Sequence, residues 1–101
     1  MLKYVIISEI TEVPGNTRPS EIFNAFIENG VKNGNYTILG EYEDLDKAKE
    51  ALASHKTTYT TNSYVTKTTQ ANVVYLEEQE LEDEDEEEWE STGNYWPADV
   101  E

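Results

Sequence analysis

The stretch LKYVIISEI, residues 2–10, decides the fold that this sequence predicts. Most of its residues are of the β-branched and aromatic types that favour extended backbone: Tyr4, Val5, Ile6, Ile7 and Ile10. Apolar side chains fall on both alternating faces of the stretch, a pattern typical of a strand in the middle of a sheet. We therefore predict a central β-strand at residues 2–10.

The segment after this strand predicts a turn followed by a helix. Residues 11–19 contain Pro14, Gly15 and Pro19, which favour a turn. Residues 20–29 place four apolar side chains on one helical face: Ile22, Phe23, Phe26 and Ile27.

Residues 36–52 predict a second strand that runs directly into a second helix. The strand is YTILGEY at residues 36–42, and Asp44 suits the N-cap of the helix. A buried stripe follows at helical spacing: Leu45, Ala48 and Leu52. We expect this helix to end near His55. The motif at residues 40–52 is common in small bacterial and phage domains and identifies no single family.

Two further strands are predicted before the acidic end of the chain. Residues 57–67 (TTYTTNSYVTK) are rich in Thr and Tyr and poor in apolar residues, which favours an exposed or edge strand. Residues 68–72 would turn the chain back, and residues 72–81 would form the fourth strand. Its apolar residues fall on both parities, so the pattern does not define its inward face.

The predicted fold class is α+β, with the element order β-α-β-α-β-β. Strand–helix–strand alternation at the start favours a right-handed crossover between two parallel strands. The last two strands favour an antiparallel hairpin. We expect a two-layer sandwich, in which two helices cover one face of a four-stranded mixed sheet and an acidic C-terminal tail follows.

Charge divides the chain into two parts. Residues 1–76 hold 9 acidic and 7 basic residues, whereas residues 77–101 hold 13 acidic residues and no Lys or Arg. The net charge of −15 is therefore concentrated in the last quarter of the chain. We predict a small α+β domain at residues 1–81 and an acidic, aromatic-containing segment at residues 82–101.

Three interpretations of the acidic segment remain open. Like charges repel and the composition buries little apolar area, which is typical of a solvated, disordered tail. Ordered carboxylates could instead present negative charge to a basic protein as a phosphate backbone would, with aromatic anchors beside them. The third interpretation is binding of divalent cations: weak, non-specific association is expected, but a defined calcium site is not, because the run has no Gly for the sharp turn of a calcium loop.

The second interpretation defines the candidate site. Its predicted partner-binding residues are Glu82, Asp83, Glu84, Asp85, Glu86, Glu87, Glu88, Trp89, Tyr95 and Trp96. Such a composition would suit a small inhibitor of phage or mobile-element type that mimics nucleic acid. Trp96 has two possible placements: folded back onto the sheet, or extended and available to another protein.

Composition and motifs argue against several other functions. The chain has no cysteine and a single histidine, His55, and no motif marks a nucleophile or a phosphate-binding loop. We predict no catalytic residue, no cofactor and no metal site. The charge disfavours direct contact with nucleic acid or membrane, and the apparent absence of a signal peptide favours a cytoplasmic location.

The sequence thus predicts a non-enzymatic protein-interaction module that engages a basic protein surface. The alternative is a structural homodimer with a solubilising tail. In that case we expect the copies to pair through the edge strand at residues 57–67.

Overall fold

The described part of the chain forms one five-stranded antiparallel sheet and two α-helices. The computed structural model describes residues 1–28, 36–62, 68–81 and 88–100, with the backbone alone at residues 61 and 62. The elements are β1 (Leu2–Pro14), a 3-10 turn (Pro19–Glu21), α1 (Ile22–Glu28), β2 (Tyr36–Tyr42), α2 (Leu45–Leu52), β3 (Thr58–Asn62), β4 (Thr68–Glu80) and β5 (Glu90–Pro97). The predicted α+β class is confirmed.

The longest ladder joins β1 and β4, which pair antiparallel from Leu2 opposite Glu80 to Pro14 opposite Thr68. β2 lies on the outer side of β1, and β3 and β5 both pair with β4. Because β1 occupies one side of β4 throughout, β3 and β5 lie end to end along its other side. The sheet therefore has β2 at one edge and β3 with β5 at the opposite edge.

The prediction of a mixed sheet with a parallel crossover is wrong, because β1 and β2 pair antiparallel. β1 has 13 residues, or roughly 43 Å of extended chain. α1 has 7 residues and spans only about 10 Å. The chain therefore re-enters the sheet partway along β1, with Tyr36 opposite Glu9, and runs back toward Tyr4.

The prediction that both helices cover one face of the sheet is also wrong. α1 packs with the odd-numbered side chains of the central strands, including Val5, Ile7 and Tyr75. α2 packs with the even-numbered ones, including Tyr4, Ile6, Val74 and Leu76. Successive strand residues point to opposite faces, so the helices lie on opposite faces. This explains why the apolar residues of β1 and β4 occupy both parities.

Two other strand predictions need correction. Among the residues that the structure describes, the sheet has five strands rather than four, because part of the predicted acidic tail, Glu90–Pro97, pairs with β4. Residues 68–72 form the start of β4 rather than a turn. Thr69 and Ala71 are buried there, whereas their neighbours Gln70 and Asn72 are exposed. Burial therefore alternates as in a strand, with Thr69 as one of the inward-facing residues.

Several local predictions are confirmed. β2 has the predicted bounds, and α2 begins after the predicted N-cap, where the Asp44 carboxylate accepts hydrogen bonds from the backbone N–H groups of Asp46 and Lys47. β3 pairs with β4 alone among the described strands and is antiparallel to it, as expected for an edge strand in a hairpin. Residues 63–67 of that predicted strand lie outside the described residues. No helix within the described ranges is long and apolar enough to cross a membrane.

Thr57 lies between β3 and the end of β5 and forms hydrogen bonds there with β4 and with the residues that follow β5. Its side chain is 2% exposed, and its Oγ1 accepts the backbone N–H of Val74 at 3.0 Å. The Thr57 N–H donates to the carbonyl of Asp99 at 2.9 Å, and the Ala98 N–H donates to the carbonyl of Val74 at 2.9 Å. A side-chain hydroxyl therefore satisfies a buried strand amide at the junction.

We predict that Thr57→Val, which keeps the shape of the side chain, destabilises the protein. The buried Val74 N–H would lose its acceptor, at a cost of about 1–3 kcal/mol in the free energy of unfolding. Urea denaturation followed by circular dichroism measures this loss. Thr58→Val is the matched control because Thr58 is exposed, and an equal loss in both variants would contradict the role of the hydroxyl.

Candidate functional site

The structure describes four of the ten predicted partner-binding residues. Glu88 is exposed and Trp89 is partly buried just before β5, whereas Tyr95 and Trp96 lie within β5. The other six lie outside the described residues: Glu82, Asp83, Glu84, Asp85, Glu86 and Glu87. The described part of the candidate site is therefore β5 together with the two residues that precede it.

Tyr95 and Trp96 pack against their own chain on opposite faces of the sheet. The Tyr95 ring lies 5.9 Å from the Tyr75 ring on the α1 face. The Trp96 ring contacts the Tyr4 ring edge-on, with centroids 6.1 Å apart, on the α2 face. Of the two placements predicted for Trp96, the structure has the one folded back onto the sheet.

β5 has a bulge opposite Glu78, and side chains of the bulge donate hydrogen bonds to the Glu78 carboxylate. Glu77 pairs with Tyr95 and Gln79 with Ser91, so three residues of β5 lie opposite Glu78 alone. Two of the three donate to Glu78 Oε1: the Thr92 hydroxyl at 2.9 Å and the Asn94 amide at 3.1 Å. The third is a glycine with a φ of 88°, a left-handed conformation that side chains disfavour. The bulge thereby fastens β5 to β4.

Glu78 also faces Tyr4, its partner on β1. Burial, together with the charge and hydrogen bond of Glu78, raises the pKa of the Tyr4 hydroxyl. The Glu78 side chain thus receives hydrogen bonds from two strands, β1 and β5. Its carboxylate belongs to the framework and not to the surface offered to a partner.

Trp89 is held by a cation from the opposite end of the chain. The Lys3 ammonium lies 4.4 Å from the centroid of the Trp89 ring and 2.9 Å from the Glu41 carboxylate. The ring face attracts cations through its quadrupole, with a contribution of about 0.5–1 kcal/mol at exposed sites. The ring that precedes β5 is therefore positioned by the first strand and already binds a positive charge.

Exposed carboxylates lie where β4 ends and β5 begins. Glu80 and Glu90 lie directly opposite each other on β4 and β5, and both are exposed, as is Glu88. Neither Glu80 nor Glu90 forms an ion pair with another described residue. We call Glu80, Glu88 and Glu90 the anionic edge. The acidic run at residues 82–87 connects β4 to these residues in sequence.

Two fully buried carboxylates were not predicted to be buried. Glu9 and Glu77 are each 0% exposed and lie on the α1 face of the sheet. Gln79 Nε2 donates to Glu77 Oε2 at 2.8 Å. The available signal was an acidic residue inside an apolar strand pattern, which Glu9 shows within residues 2–10. Tyr75 lies between Glu77 and Glu9. Burial is the main cause that raises its pKa well above the usual value of 10.0, and the negative charges of Glu77 and Glu9 raise it further.

Of the two described cavities, the smaller, of about 230 Å³, lies between the start of β1, the end of β2 and Trp89, and the larger is not an apolar ligand pocket of the usual kind. The larger has a volume of about 460 Å³ and lies between the turn after β1 and α1. Polar side chains such as Asn16, Glu21 and Asn24 line much of it, whereas ligand pockets are mostly apolar. His55 is partly buried after α2. Within the described ranges, no group of three or more His, Asp or Glu side chains is arranged to hold a metal ion.

The carboxylates of Glu80 and Glu90 provide a test of the electrostatics of this edge. Like charges directly opposite each other on paired strands cost roughly 0.2–1 kcal/mol. We predict that Glu90→Gln raises the free energy of unfolding by that amount at low salt. The gain should shrink in 1 M NaCl, where the screening length is about 3 Å.

Urea denaturation at 20 mM and 1 M NaCl measures both effects. Glu12→Gln is the matched control, because Glu12 is exposed and lies opposite the neutral Gln70. A Glu90→Gln variant no more stable than this control at low salt would contradict the repulsion.

Tyr75 should make the fold sensitive to alkali. Its pKa is raised in the folded state, so above pH 10 the unfolded chain releases the proton first and the free energy of unfolding falls as pH rises. We predict that Tyr75→Phe reduces this fall between pH 10 and 11, measured by urea denaturation at each pH. Tyr59→Phe, at a residue 38% exposed, is the control. Equal pH dependence in all three proteins would refute the assignment.

Comparison with known proteins finds no matching protein-family model, curated protein or solved structure. The function of this chain therefore has to be inferred from its own residues and geometry.

Proposed function

We propose that this chain is a non-enzymatic protein-interaction module that engages a basic protein surface through its anionic C-terminal segment, residues 82–101. The observation that carries the proposal is the uncompensated negative charge gathered at one edge of the sheet. The anionic edge adjoins, in sequence, a run of six carboxylates at residues 82–87. A partner that supplies Lys and Arg side chains would relieve the repulsion along this edge.

Three of the described cations contact groups other than the carboxylates of Glu80 and Glu90. Lys3 pairs with Glu41 and Trp89, and Lys56 pairs with Asp99 at 3.4 Å. Lys49 lies 5.7 Å from the centroid of the Trp96 ring. Residues 77–101 contain no Lys or Arg at all. The charge of the anionic edge therefore remains available to steer a basic partner, which raises association rates at low salt.

Trp89 is the best placed of the three aromatic anchors. Tyr95 and Trp96 belong to the two core clusters and fix β5 to the sheet. Trp89 lies next to Glu88 and Glu90 and binds a Lys side chain on its ring. We infer that the same ring offers a contact to a partner's Arg or Lys, while Tyr95 and Trp96 contribute indirectly by holding β5.

The partner class that fits such a surface is a protein whose basic face otherwise contacts a polyanion. Closely spaced carboxylates on an ordered edge present charge as a phosphate backbone does, and a nucleic-acid-mimicking inhibitor of phage or mobile-element type would act in this way. The second candidate function is a structural homodimer with a solubilising acidic segment. The exposed apolar side chains of β2 favour self-association.

The test keeps β5 intact, because truncation of the segment would remove a strand of the sheet. One variant neutralises six carboxylates of the segment: E82Q, D83N, E84Q, D85N, E86Q and E87Q. The matched control neutralises six exposed carboxylates of the body: E12Q, E21Q, E28Q, E43Q, D46N and E50Q. Both variants then have the same net charge.

Affinity capture from the source cells, at 0.15 M and then 1 M NaCl, compares both variants with the wild-type chain. We expect a partner that binds the wild type and the body variant, is lost from the segment variant, and is released by salt. Release by short duplex DNA would identify a polyanion-binding partner. Equal capture by both variants, or no capture by the wild type, would contradict the proposal.

A further inference from the structure

The second unusual surface is the outer edge of β2. Among the described strands, β2 pairs with β1 alone, so its other edge faces away from the sheet. Three of its side chains are apolar or aromatic and strongly exposed: Tyr36 at 50%, Ile38 at 52% and Leu39 at 41%. Edge strands with such side chains are templates for pairing with another chain.

The usual protections of an edge strand are weak at this position. The segment from Tyr36 to Gly40 contains no charged residue and no proline, both of which discourage pairing. Leu39 forms a bulge, since Ile38 pairs with Ile7 and Gly40 with Ile6. Gly40 is covered by the Tyr42 ring, because a Cβ there would lie 3.0 Å from Tyr42 Cε2. The exposed, neutral part of the strand is thus Tyr36–Leu39.

We propose that this edge binds a second copy of the chain, with β2 pairing antiparallel to β2 about a two-fold axis. Such an interface is isologous, so each apolar side chain of one copy meets the same apolar segment of the other. Polar hydroxyls of Tyr36 and Thr37 and the backbone groups of the edge would be satisfied across the axis. The result is one continuous ten-stranded sheet.

The distribution of charge favours this edge for two copies that each carry a net charge of −15. In the sheet order, β1 and β4 separate β2 from β5. In a flat sheet paired through β2, the two copies of Glu90 on β5 would lie seven strand spacings apart, or about 34 Å, and the two copies of Glu80 on β4 would lie five spacings apart, or about 24 Å. The screening length at 0.15 M salt is about 8 Å, so their repulsion across the dimer is largely screened.

The other edge of the sheet is the poorer choice. β5 carries the exposed Glu90, which would repel a second copy paired along that strand. Among its described side chains, β3 exposes one large apolar or aromatic residue, Tyr59 at 38%, whereas β2 exposes three. The sequence pattern predicted self-pairing through residues 57–67, and the inference moves that contact to β2. A dimer through β2 also leaves the anionic edges of both copies open, so it is compatible with the proposed partner binding without depending on it.

Sedimentation equilibrium of the full chain between 10 µM and 1 mM, at 0.15 M and 1 M NaCl, tests the inference. We expect a monomer–dimer equilibrium for the wild type, changed less than threefold by salt. Ile38→Lys should weaken it at least tenfold even though it lowers the net negative charge. Thr60→Lys, which adds the same charge to exposed β3, should leave it unchanged.

A wild-type chain that stays monomeric at 1 mM overturns the inference. Loss of dimer with Thr60→Lys but not with Ile38→Lys assigns the interface to β3. Equal loss with both variants shows an effect of charge alone and also overturns it.

Cysteine cross-linking tests the same contact without a disruptive substitution. The chain has no cysteine, so Thr37→Cys, Ile38→Cys and Leu39→Cys each introduce one thiol. In a two-fold antiparallel pair, the residue nearest the axis meets its own copy at a Cα separation of roughly 4.5–5.5 Å, within disulfide reach. We expect a disulfide-linked dimer from at least one β2 variant on oxidation and none from Thr60→Cys. The reverse result, or no dimer from any β2 variant, overturns the inference.

Discussion

The antiparallel ladder between β1 and β4 is the constraint on which the rest of the structure depends. It joins 13 residues of each strand, and every other element attaches to it. α1 and α2 cover its two faces, β2 borders it through β1, and β3 and β5 border it through β4. The ladder also sets the position of the candidate site, since β4 ends at Glu80 and β5 returns along its free side. A strand placed there carries its charge at the edge of the sheet farthest from β2.

The carboxylates near the C-terminal end of the chain have different roles despite their similar composition. Glu77 is fully buried beside Gln79 and contributes to the raised pKa of Tyr75. Glu78 accepts hydrogen bonds that hold the bulge of β5. Glu80, Glu88 and Glu90 are exposed, so they present their charge to solvent and to a partner. Glu77 and Glu78 therefore have structural roles in the sheet, whereas Glu80, Glu88 and Glu90 are exposed at the anionic edge.

The sequence predicted elements whose signals are local. The β2 strand and the Asp44 cap of α2 were identified correctly because strand propensity and capping depend on neighbouring residues. The topology was missed because it depends on length: β1 extends to Pro14, and the seven-residue α1 is too short to return the chain to the start of β1. The start of β4 was missed because Thr69 is buried there in place of an apolar residue. β5 was missed because Tyr95 and Trp96 follow a run of acidic residues whose composition argues against order.

The same reasoning applies to the candidate site. Composition identified the segment, but only the structure separates Trp89, which binds Lys3, from Tyr95 and Trp96, which complete the core.

The central claim is that the anionic edge, and not β2 or β3, receives a basic partner. Chemical-shift mapping by NMR on the isotope-labelled full chain, titrated with a captured partner at 0.15 M NaCl, tests this most directly. We predict shifts at residues 82–94 and at Lys3, with β2 unchanged. Shifts confined to β2 or β3, with β5 unaffected, would contradict the account.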